Sequence, residues 1–430
     1  MKNHGFHDAA VVGSGPAGLA TAVSLSLAGV DVVLIGPRPT RADTRTAALF
    51  AGSVHLLENI GIRDALARDG TPLHGIRLVD DMGGLLRAPE VMFPAHEAGL
   101  PRFGYNIANS ALVAALTTRA EEAGVHLIDA TVANVSNGAD AHTLELGDGR
   151  SLAARLVVGA DGRQSPCRAA AGIEATSWSY EQCAITTTFA HQRPHNGIST
   201  EFHRPSGPLT VVPCAGNTSS LVWVERPATA QRLLALDENA FRAELETHLQ
   251  GLLGGVGQLG SRGMFPLSGL RAEIAGRNRI ALVGEAAHVI PPIGAQGLNL
   301  GLRDVACLEQ CVVEAQQAGD DIGAAPTLQR YDALRRSDIA TRIWAVDALN
   351  RTLLTNLPPV QALRGIGMHL LKLVPQARRA AITRGLGPSH LAPRLLQPRQ
   401  PTETDELDAL AKAGHDRSTS RLQQLPSGGQ

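Results

Sequence analysis

Apolar and polar positions near the start of the chain follow the periods of parallel strands and a helix. Residues 9–12 form a short continuous apolar run, which predicts a strand buried on both faces. After a glycine-rich turn, residues 19–27 place apolar side chains at helical spacing, and residues 31–35 return to a mostly apolar run. The order therefore predicts a strand, a glycine turn, a helix and a second strand.

The glycine turn carries Gly13, Gly15 and Gly18 at G-x-G-x-x-G spacing. In dinucleotide-binding folds the first glycine makes the tight turn, the second lets a pyrophosphate approach the backbone, and the third lets the helix pack on the strand. The free N–H groups and the dipole at the helix start then hold the diphosphate. We therefore expect a bound dinucleotide. Gly36 stands at the end of the second strand, where a ribose-binding carboxylate is usual, so the motif does not decide between NAD and FAD.

The following residues predict a mixture of helices, hairpins and a second sheet. Alternation of apolar and polar residues dominates between residues 183 and 224, which is typical of a largely antiparallel sheet. Arg45 lies in a Thr/Asp-rich loop, where a solvated charge is the simpler interpretation. Apolar spacing and turn residues predict a helix within 45–62 that begins after Arg45, helices over 105–124 and 238–253, a strand over 125–135, and hairpins around 80–84 and 147–149.

A second strand and turn stand out near residue 280. Residues 280–283 predict a buried strand that ends at Gly284 and Glu285. A turn rich in Pro and Gly follows, and a helix is expected from residue 298 onward. The start of that helix offers another set of free N–H groups to an anionic ligand atom.

Composition narrows the class of protein. The 430 residues have an ordinary hydrophobic fraction of 44% and a net charge of −1, so bulk charge predicts no nucleic-acid partner. The five cysteines form no C-x-x-C pair, and their odd number argues against a disulfide framework. Cys307 and Cys311 lie four residues apart on a predicted helix, where buried core residues are favoured over metal ligands. The first strand begins too early for a signal peptide, and no apolar run has the length of a membrane span. We expect a cytoplasmic protein.

Residues 348–402 contain no acidic residue and eight basic ones. One interpretation is a helical cap with a basic solvated face. The other is an apolar and basic surface, including Leu370, Leu371, Leu373 and Val374, that contacts anionic lipid or a protein partner.

Three stretches together resemble the FAD-dependent aromatic hydroxylases of the para-hydroxybenzoate hydroxylase type, and within them the ubiquinone-biosynthesis hydroxylases. The loop GSGPAG is similar to the FAD diphosphate motif of that family, and ADGRQSPCR to its second motif. LVGEAAHVIPPIGAQGLNLGLRDV is similar to its third motif. The resemblance extends from about residue 8 to about residue 387.

The resemblance implies an α/β fold: a Rossmann-like FAD-binding domain, an inserted and largely antiparallel β-sheet substrate domain, and C-terminal helices. Residues 391–430 are rich in Pro, Gln and Ser and are expected to be disordered. The expected domains are a discontinuous FAD-binding domain over 1–75, 100–180 and 275–345, a substrate-binding sheet domain over 76–99 and 181–274, and a helical region over 346–390.

The same resemblance implies which residues bind FAD. The family has Asp where Glu285 stands, and its carboxylate binds the ribityl hydroxyls; Asp161 would lie near the FAD phosphate and the reductant. The turn PPIGAQG permutes the family's HPIAGQG. His288 could act as a base, but a buried structural histidine is the favoured interpretation. The expected cofactor-binding set is Gly13, Gly15, Gly18, Arg45, Asn109, Asp161, Gly284, Glu285, Pro292, Gly297 and Asn299.

The implied function is an FAD-dependent monooxygenase. NAD(P)H reduces FAD, O2 adds to give a flavin C4a-hydroperoxide, and one oxygen atom is transferred to an aromatic ring, in this branch a polyprenylated phenol of ubiquinone biosynthesis. The chemistry needs no protein nucleophile and no metal, so we assign no catalytic residue. The expected partners are a small hydrophobic aromatic substrate and O2, with a peripheral membrane or quinone-biosynthesis complex contact.

Two alternatives stay open at this point. The chain could hydroxylate another phenolic metabolite, or it could be a low-activity flavoprotein scaffold in a quinone-biosynthesis complex. A flavin halogenase is disfavoured, because the chain has no W-x-W-x-I-P run.

Overall fold

The computed structural model describes residues 5–38, 43–83, 88–354, 358–385 and 392–399. In chain order the strands are β1 (Gly5–Val12), β2 (Val32–Ile35), β3 (Thr46–Phe50), β4 (Thr71–Leu73), β5 (Gly75–Asp80), β6 (Val91–Pro94), β7 (Gly104–Ala108), β8 (His126–Ile128), β9 (Val132–Ser136), β10 (His142–Leu146), β11 (Ser151–Gly159), β12 (Ala175–His191), β13 (Ile198–His203), β14 (Leu209–Cys214), β15 (Thr218–Glu225), β16 (Val256–Leu259), β17 (Gly263–Ala272), β18 (Gly276–Arg277), β19 (Ile280–Leu282) and β20 (His288–Val289). The helices are α1 (Pro16–Leu27), α2 (Ala51–Asn59), α3 (Arg63–Asp69), α4 (Asn109–Glu122), α5 (Pro166–Ala170), α6 (Pro227–Ala235), α7 (Glu238–Leu249), α8 (Gln296–Ala318), α9 (Ala325–Leu354), α10 (Pro358–Leu373) and α11 (Pro375–Gly385).

The first sheet is the predicted Rossmann-type sheet. Its strands run in the order β18-β19-β11-β1-β2-β8, and β10 and β9 continue it beside β11. β1 pairs in parallel with both β11 and β2, and β2 pairs in parallel with β8. Successive residues of β1 point to opposite faces, so Ala9 and Val11 pack in one core cluster while Ala10 and Val12 pack in another. Both faces are covered, which explains the continuous apolar run.

The second sheet confirms the antiparallel pattern read from residues 183–224. Its order is β20-β17-β12-β15-β14-β13-β5-β6, with β16 paired to β12. The pairing is antiparallel except between β13 and β5. Ile185, Leu221 and Trp223 on one face pack against Phe241 and Leu245 of α7. That face is therefore closed by helices.

Two predicted helices were wrong at their starts. Residues 46–50 and 104–108 are strands β3 and β7, which pair antiparallel and precede α2 and α4. Gly104 allows this pairing, because a Cβ atom there would lie 1.8 Å from the carbonyl oxygen of Leu49. Local periodicity cannot reveal a partner strand so far along the chain.

Other predicted elements differ in detail. The strand predicted over 125–135 is two strands, since β8 extends the parallel sheet whereas β9 pairs with β10. The hairpin around 147–149 is confirmed by the antiparallel pairing of β10 and β11. Beyond the turn at 80–84, β5 pairs with β6; residues 84–87 lie outside the described part of the chain.

Residues 392–399 differ from the disorder predicted for 391–430. Leu395 and Leu396 are buried in the core cluster that contains α2. Asn59 donates hydrogen bonds from Nδ2 to the carbonyl oxygens of Leu395 and Gln397, at 2.9 and 3.0 Å. The Pro, Gln and Ser content of residues 391–430 gives no sign of this contact, because only two leucines of the segment enter the core. The rest of the predicted tail lies outside the described residues, and the domain boundaries given above stay a prediction.

Candidate cofactor site

The three glycines of the first turn have different structural roles. Gly13 has φ +121°, and a Cβ atom there would lie 2.2 Å from the carbonyl oxygen of Ala160. A Cβ atom on Gly18 would lie 1.9 Å from the carbonyl oxygen of Gly13, so close packing requires both glycines. Apart from its chain neighbours, no atom of the described residues lies within 4 Å of the Cβ position of Gly15. Gly15 caps α1 without a side-chain hydrogen bond, which leaves N–H groups of the first turn to a ligand.

The packing at the end of β2 explains why Gly36 stands where a ribose-binding carboxylate is usual. A Cβ atom on Gly36 would lie 2.6 Å from the backbone nitrogen of Ser14, so no side chain fits there. Ser14 Oγ itself donates to the carbonyl oxygen of Pro37 at 2.7 Å. A carboxylate stands instead after the neighbouring strand β8, where Asp129 Oδ1 accepts from the N–H of Arg38 at 3.1 Å. Since β8 is parallel to β2, Asp129 lies at the same edge of the sheet.

Asp161 follows β11 at this edge. Its Oδ2 accepts the N–H of Cys167 at 3.0 Å, at the start of α5. Its Oδ1 is buried and has no hydrogen-bond partner among the described residues. A buried carboxylate oxygen without a donor is costly, so this oxygen is suited to a hydroxyl or N–H donor of a ligand.

Arg45 and Asn109 meet at one carboxylate. Arg45 donates from Nε and Nη2 to the two oxygens of Asp43 at 2.9 and 2.8 Å, and Asn109 Nδ2 donates to Asp43 Oδ2 at 3.0 Å. Burial raises the pKa of Asp43, but the hydrogen bonds from Arg45 and Asn109 outweigh it and lower the pKa to about 2. The guanidinium carbon of Arg45 lies 5.3 Å from the centre of the Phe265 ring. The Arg45 side chain is half-exposed, and its contacts with Asp43 and Phe265 hold it in one position.

The third motif forms a short turn at the end of β19. Gly284 has φ +61°, which favours glycine, and Gly284–Ala286 is one 3-10 turn. The Glu285 side chain is 57% exposed, and its Oε2 lies 3.2 Å from Nε of Arg163. The Pro292 and Gly297 that follow are exposed, beside the first turn of α8, which has no side-chain cap. The start of α8 thus presents free N–H groups next to the turn.

Asn299 uses its side chain within the protein. Its Oδ1 accepts from the N–H of Phe50 at 2.9 Å and from Ser53 Oγ at 2.7 Å. Its Nδ2 donates to the carbonyl oxygens of Ala48 and Ala295, at 2.8 and 2.7 Å. Asn299 therefore fastens the exposed turn to β3 and α2, and a ligand can meet only its backbone.

A buried ionic cluster of Asp304, His288 and Arg335 contacts the turn at Gly284 from the protein interior. The Asp304 side chain is completely buried. Its Oδ2 accepts a hydrogen bond from the N–H of Gly284 at 2.9 Å and lies 2.6 Å from His288 Nε2. Its Oδ1 accepts a hydrogen bond from Arg335 at 2.7 Å. Burial raises the pKa of Asp304, but the charges of His288 and Arg335 outweigh it and hold the pKa below its usual range. His288 is buried and its Nε2 contacts Asp304, but its buried Nδ1 has no hydrogen-bond partner among the described residues, so its structural role stays a prediction.

Comparison with known proteins decides the family. The FAD binding domain family matches residues 7–343. Ubiquinone hydroxylase UbiL of Rhodospirillum rubrum is 36% identical over 394 residues, which cover 90% of this chain and 91% of that protein. The 3-demethoxyubiquinol 3-hydroxylase of Escherichia coli is 32% identical over 388 residues, covering 88% and 98%. The chain belongs to the FAD-dependent ubiquinone hydroxylase family.

This ubiquinone hydroxylase family member is an FAD-dependent monooxygenase, with NAD(P)H as its reductant. Its fold is similar to that of p-nitrophenol 4-monooxygenase PnpA from Pseudomonas putida, with a TM-score of 0.74 and 18% identity over 93% of this chain and 100% of the other. It is also similar to HpxO of Klebsiella pneumoniae, solved with FAD and uric acid, with a TM-score of 0.69 and 18% identity over 88% and 97%. No helix in the described part of the chain is long and apolar enough to cross a membrane.

Sequence reasoning missed several residues that shape the site of this hydroxylase. Asp304 is the last residue of the motif GLNLGLRD, and a charge on a helix of buried residues was the available signal. Arg335 is fully buried on α9 without a motif around it. Asp129 carries no motif either, and only the sheet order brings it to the site. Arg163 lies inside the second motif, two residues after Asp161, and that position was the available signal.

Proposed function

We propose that the enzyme hydroxylates the aromatic ring of a polyprenylated phenol in ubiquinone biosynthesis. The observation that carries this proposal is the near full-length similarity to two relatives, both named for action on ubiquinone or its precursors. When bound, FAD supplies the oxygen-activating chemistry. The protein supplies position, electrostatics and exclusion of water.

We propose that FAD lies along the edge where the three motifs meet. The open space above Gly15 and the free start of α1 fit the diphosphate. The free oxygen of Asp161 fits a donor on the cofactor, and the start of α8 fits an electron-rich edge of the isoalloxazine. The proposed cofactor set remains Gly13, Gly15, Gly18, Arg45, Asn109, Asp161, Gly284, Glu285, Pro292, Gly297 and Asn299, with Asn299 acting through its backbone.

A deletion strain tests the proposed substrate. We expect mass spectrometry of its quinones to show loss of ubiquinone and accumulation of a prenylated phenol that lacks one ring oxygen. The wild-type gene should restore ubiquinone, and the Gly15→Val variant should not. A normal quinone profile would overturn the proposal and favour a different phenolic substrate. Restoration by a variant without FAD would favour the scaffold alternative.

We also propose that the enzyme acts at the cytoplasmic face of a membrane, with α10 in contact with anionic lipid. Leu363, Ile366, Leu370 and Leu373 lie on one face of α10 at spacings of three and four residues and are 53–74% exposed. Leu371 on the opposite face packs into a core cluster with Phe50 of β3 and Phe93 of β6. An exposed apolar stripe of this kind is typical of an interfacial helix.

The charges near the stripe divide into two kinds. Lys372 and Arg379 are exposed and suit an anionic surface. Arg378 instead pairs with Glu97 at 2.8 Å and donates to the carbonyl oxygens at the end of α10, so it holds α11 in place. A lipid test should therefore change residues other than Arg378.

Sedimentation with anionic liposomes tests the membrane contact. We expect Leu370→Glu combined with Leu373→Glu to abolish binding, and Lys372→Glu combined with Arg379→Glu to weaken it most at low salt, because charge attraction is screened by ions. Leu334→Glu, an exposed leucine of α9, is the matched control. Equal binding by all variants would contradict the lipid proposal. If the leucine double variant still bound liposomes but no longer bound a quinone-biosynthesis complex, the stripe would be assigned to a protein partner.

A further inference from the structure

Glu285 is held by an arginine that joins the two sheets. Arg163, in the loop after β11, places its Nε 3.2 Å from Glu285 Oε2. Its Nη1 donates to Ser268 Oγ of β17 at 2.8 Å. The guanidinium group is therefore bound on one side by the parallel-sheet region and on the other by the antiparallel sheet.

The backbones that carry this pair are also joined. Arg168 donates from Nη2 to the carbonyl oxygen of Arg163 at 2.7 Å and from Nη1 to the carbonyl oxygen of Ala286 at 2.8 Å. Ala286 follows Glu285 directly, so Arg168 fixes the separation of the two turns. Hydrogen bonds to Asp43 raise the pKa of Arg45, and the charge of Glu285 adds to the rise. Glu285 therefore lies in the field of two guanidinium groups.

We propose that Arg163 is a positioning residue for Glu285. With Oε2 held by Arg163, Oε1 is the oxygen left to accept a hydrogen bond from a hydroxyl group of the ligand, which rests on the proposed position of the FAD ribityl chain. A glutamate has one more rotatable bond than the aspartate of the resembling motif, and an ion pair fixed at both ends removes that freedom before the ligand arrives. Arg163 thus compensates for the longer side chain.

The competing role for Arg163 is direct contact with an FAD phosphate, which arginine also binds well. The two roles differ in their dependence on Glu285. A positioning arginine loses its effect when Glu285 is absent, whereas a phosphate-binding arginine does not. A double-mutant cycle separates them.

The test is the FAD dissociation constant of purified apoprotein, measured by flavin fluorescence without substrate. We expect Arg163→Ala to raise the constant about tenfold in the wild-type background, the scale of one charge-assisted hydrogen bond. In the Glu285→Ala background the same change should have almost no effect. Glu285→Asp is the second background, because its shorter arm also loses Arg163. An equal fold-change in all backgrounds, or none in the wild type, would overturn the proposal.

Two further variants guard against a purely structural effect. Arg163→Lys keeps the charge and should recover most of the affinity, and Ser268→Ala should weaken binding in the same direction by a smaller factor. Arg150→Ala, which removes an exposed arginine paired with Asp148 in the turn after β10, is the matched control and should leave the constant unchanged. Because no substrate is present, failure of the proposed phenol substrate would not alter these results.

Discussion

At the scale of single residues, the glycines of the first motif divide between protein and ligand. Gly13 and Gly18 are required by atoms of the protein, which a Cβ atom would approach to 2.2 Å or less. Gly15 faces open space, so only a ligand needs its small size. A shared motif thus contains two structural positions and one binding position.

This division predicts different outcomes for two valine substitutions. Gly15→Val should fold with a melting temperature close to that of the wild-type apoprotein but purify without yellow colour, because the side chain fills the space above the start of α1. Gly18→Val should lose stability, because its Cβ atom would overlap the carbonyl oxygen of Gly13. Circular dichroism and flavin absorbance measure both effects. Full FAD content in Gly15→Val would refute the assignment.

Glu285 gives a second prediction at this scale. Glu285→Asp should weaken FAD binding or increase the peroxide released per NAD(P)H oxidised, because the shorter side chain loses Arg163. Glu285→Ala should cost more, about 1–3 kcal/mol of FAD binding, if it leaves a ligand hydroxyl without an acceptor. The measurements are the FAD dissociation constant and the peroxide yield. Identical values for all three proteins would show that Glu285 does not touch the cofactor.

At the scale of elements, the site depends on joints between helices and strands. Asn299 joins α8 to β3 and α2, and Asp304 joins α8 to the turn at Gly284 and to α9 through Arg335. The free start of α8 can face a ligand only because these buried side chains fix its direction. The side chains of Asn299 and Asp304 therefore link the packing of α8 to the binding of a ligand at its first turn.

The Asp304 joint has a measurable pH dependence. Asp304→Asn should lower the free energy of unfolding by up to about 3–5 kcal/mol near neutral pH, because it removes one of the two carboxylates that pair with the buried Arg335 and leaves only Asp338. The folded pKa of Asp304 lies below the unfolded value of about 4, so its stabilising effect is present above about pH 4 and is lost as the pH falls. The difference between wild type and variant should therefore shrink in acid.

Guanidinium unfolding at several pH values measures this difference. Asp148→Asn, in an exposed turn pair, is the control and should change stability far less. A difference that stays constant down to low pH would contradict the assignment of the charge to Asp304.

At the scale of the whole molecule, contacts distant in sequence close the structure around the site. α11 is held to the turn after β6 by Arg378 and Glu97, and the segment around residue 395 covers α2. β3 belongs to two core clusters, because Leu49 packs with α2 and the parallel sheet, whereas Phe50 packs with residues of the antiparallel sheet and of the C-terminal helices.

The segment around residue 395 provides the prediction at this scale. Leu395→Ala combined with Leu396→Ala should lower the free energy of unfolding by several kcal/mol, because each buried leucine contributes about 2–5 kcal/mol when it is cut to alanine. The measurement is denaturant unfolding, with Leu334→Ala as the control, since Leu334 of α9 is an exposed leucine. An unchanged midpoint for the double variant would show that this contact contributes nothing.

The sequence by itself determined the parallel strand, the glycine turn, the antiparallel sheet and the three motifs, because each rests on a short repeat or on neighbouring residues. The apolar run at 9–12 and the alternation from 183 to 224 are signals of this local kind. Only the tertiary structure decided that residues 46–50 and 104–108 are strands, because each needs the other as its partner. It also decided that Arg163 meets Glu285 and that Asp304 meets Arg335, since these pairs form only after the sheets and helices have packed.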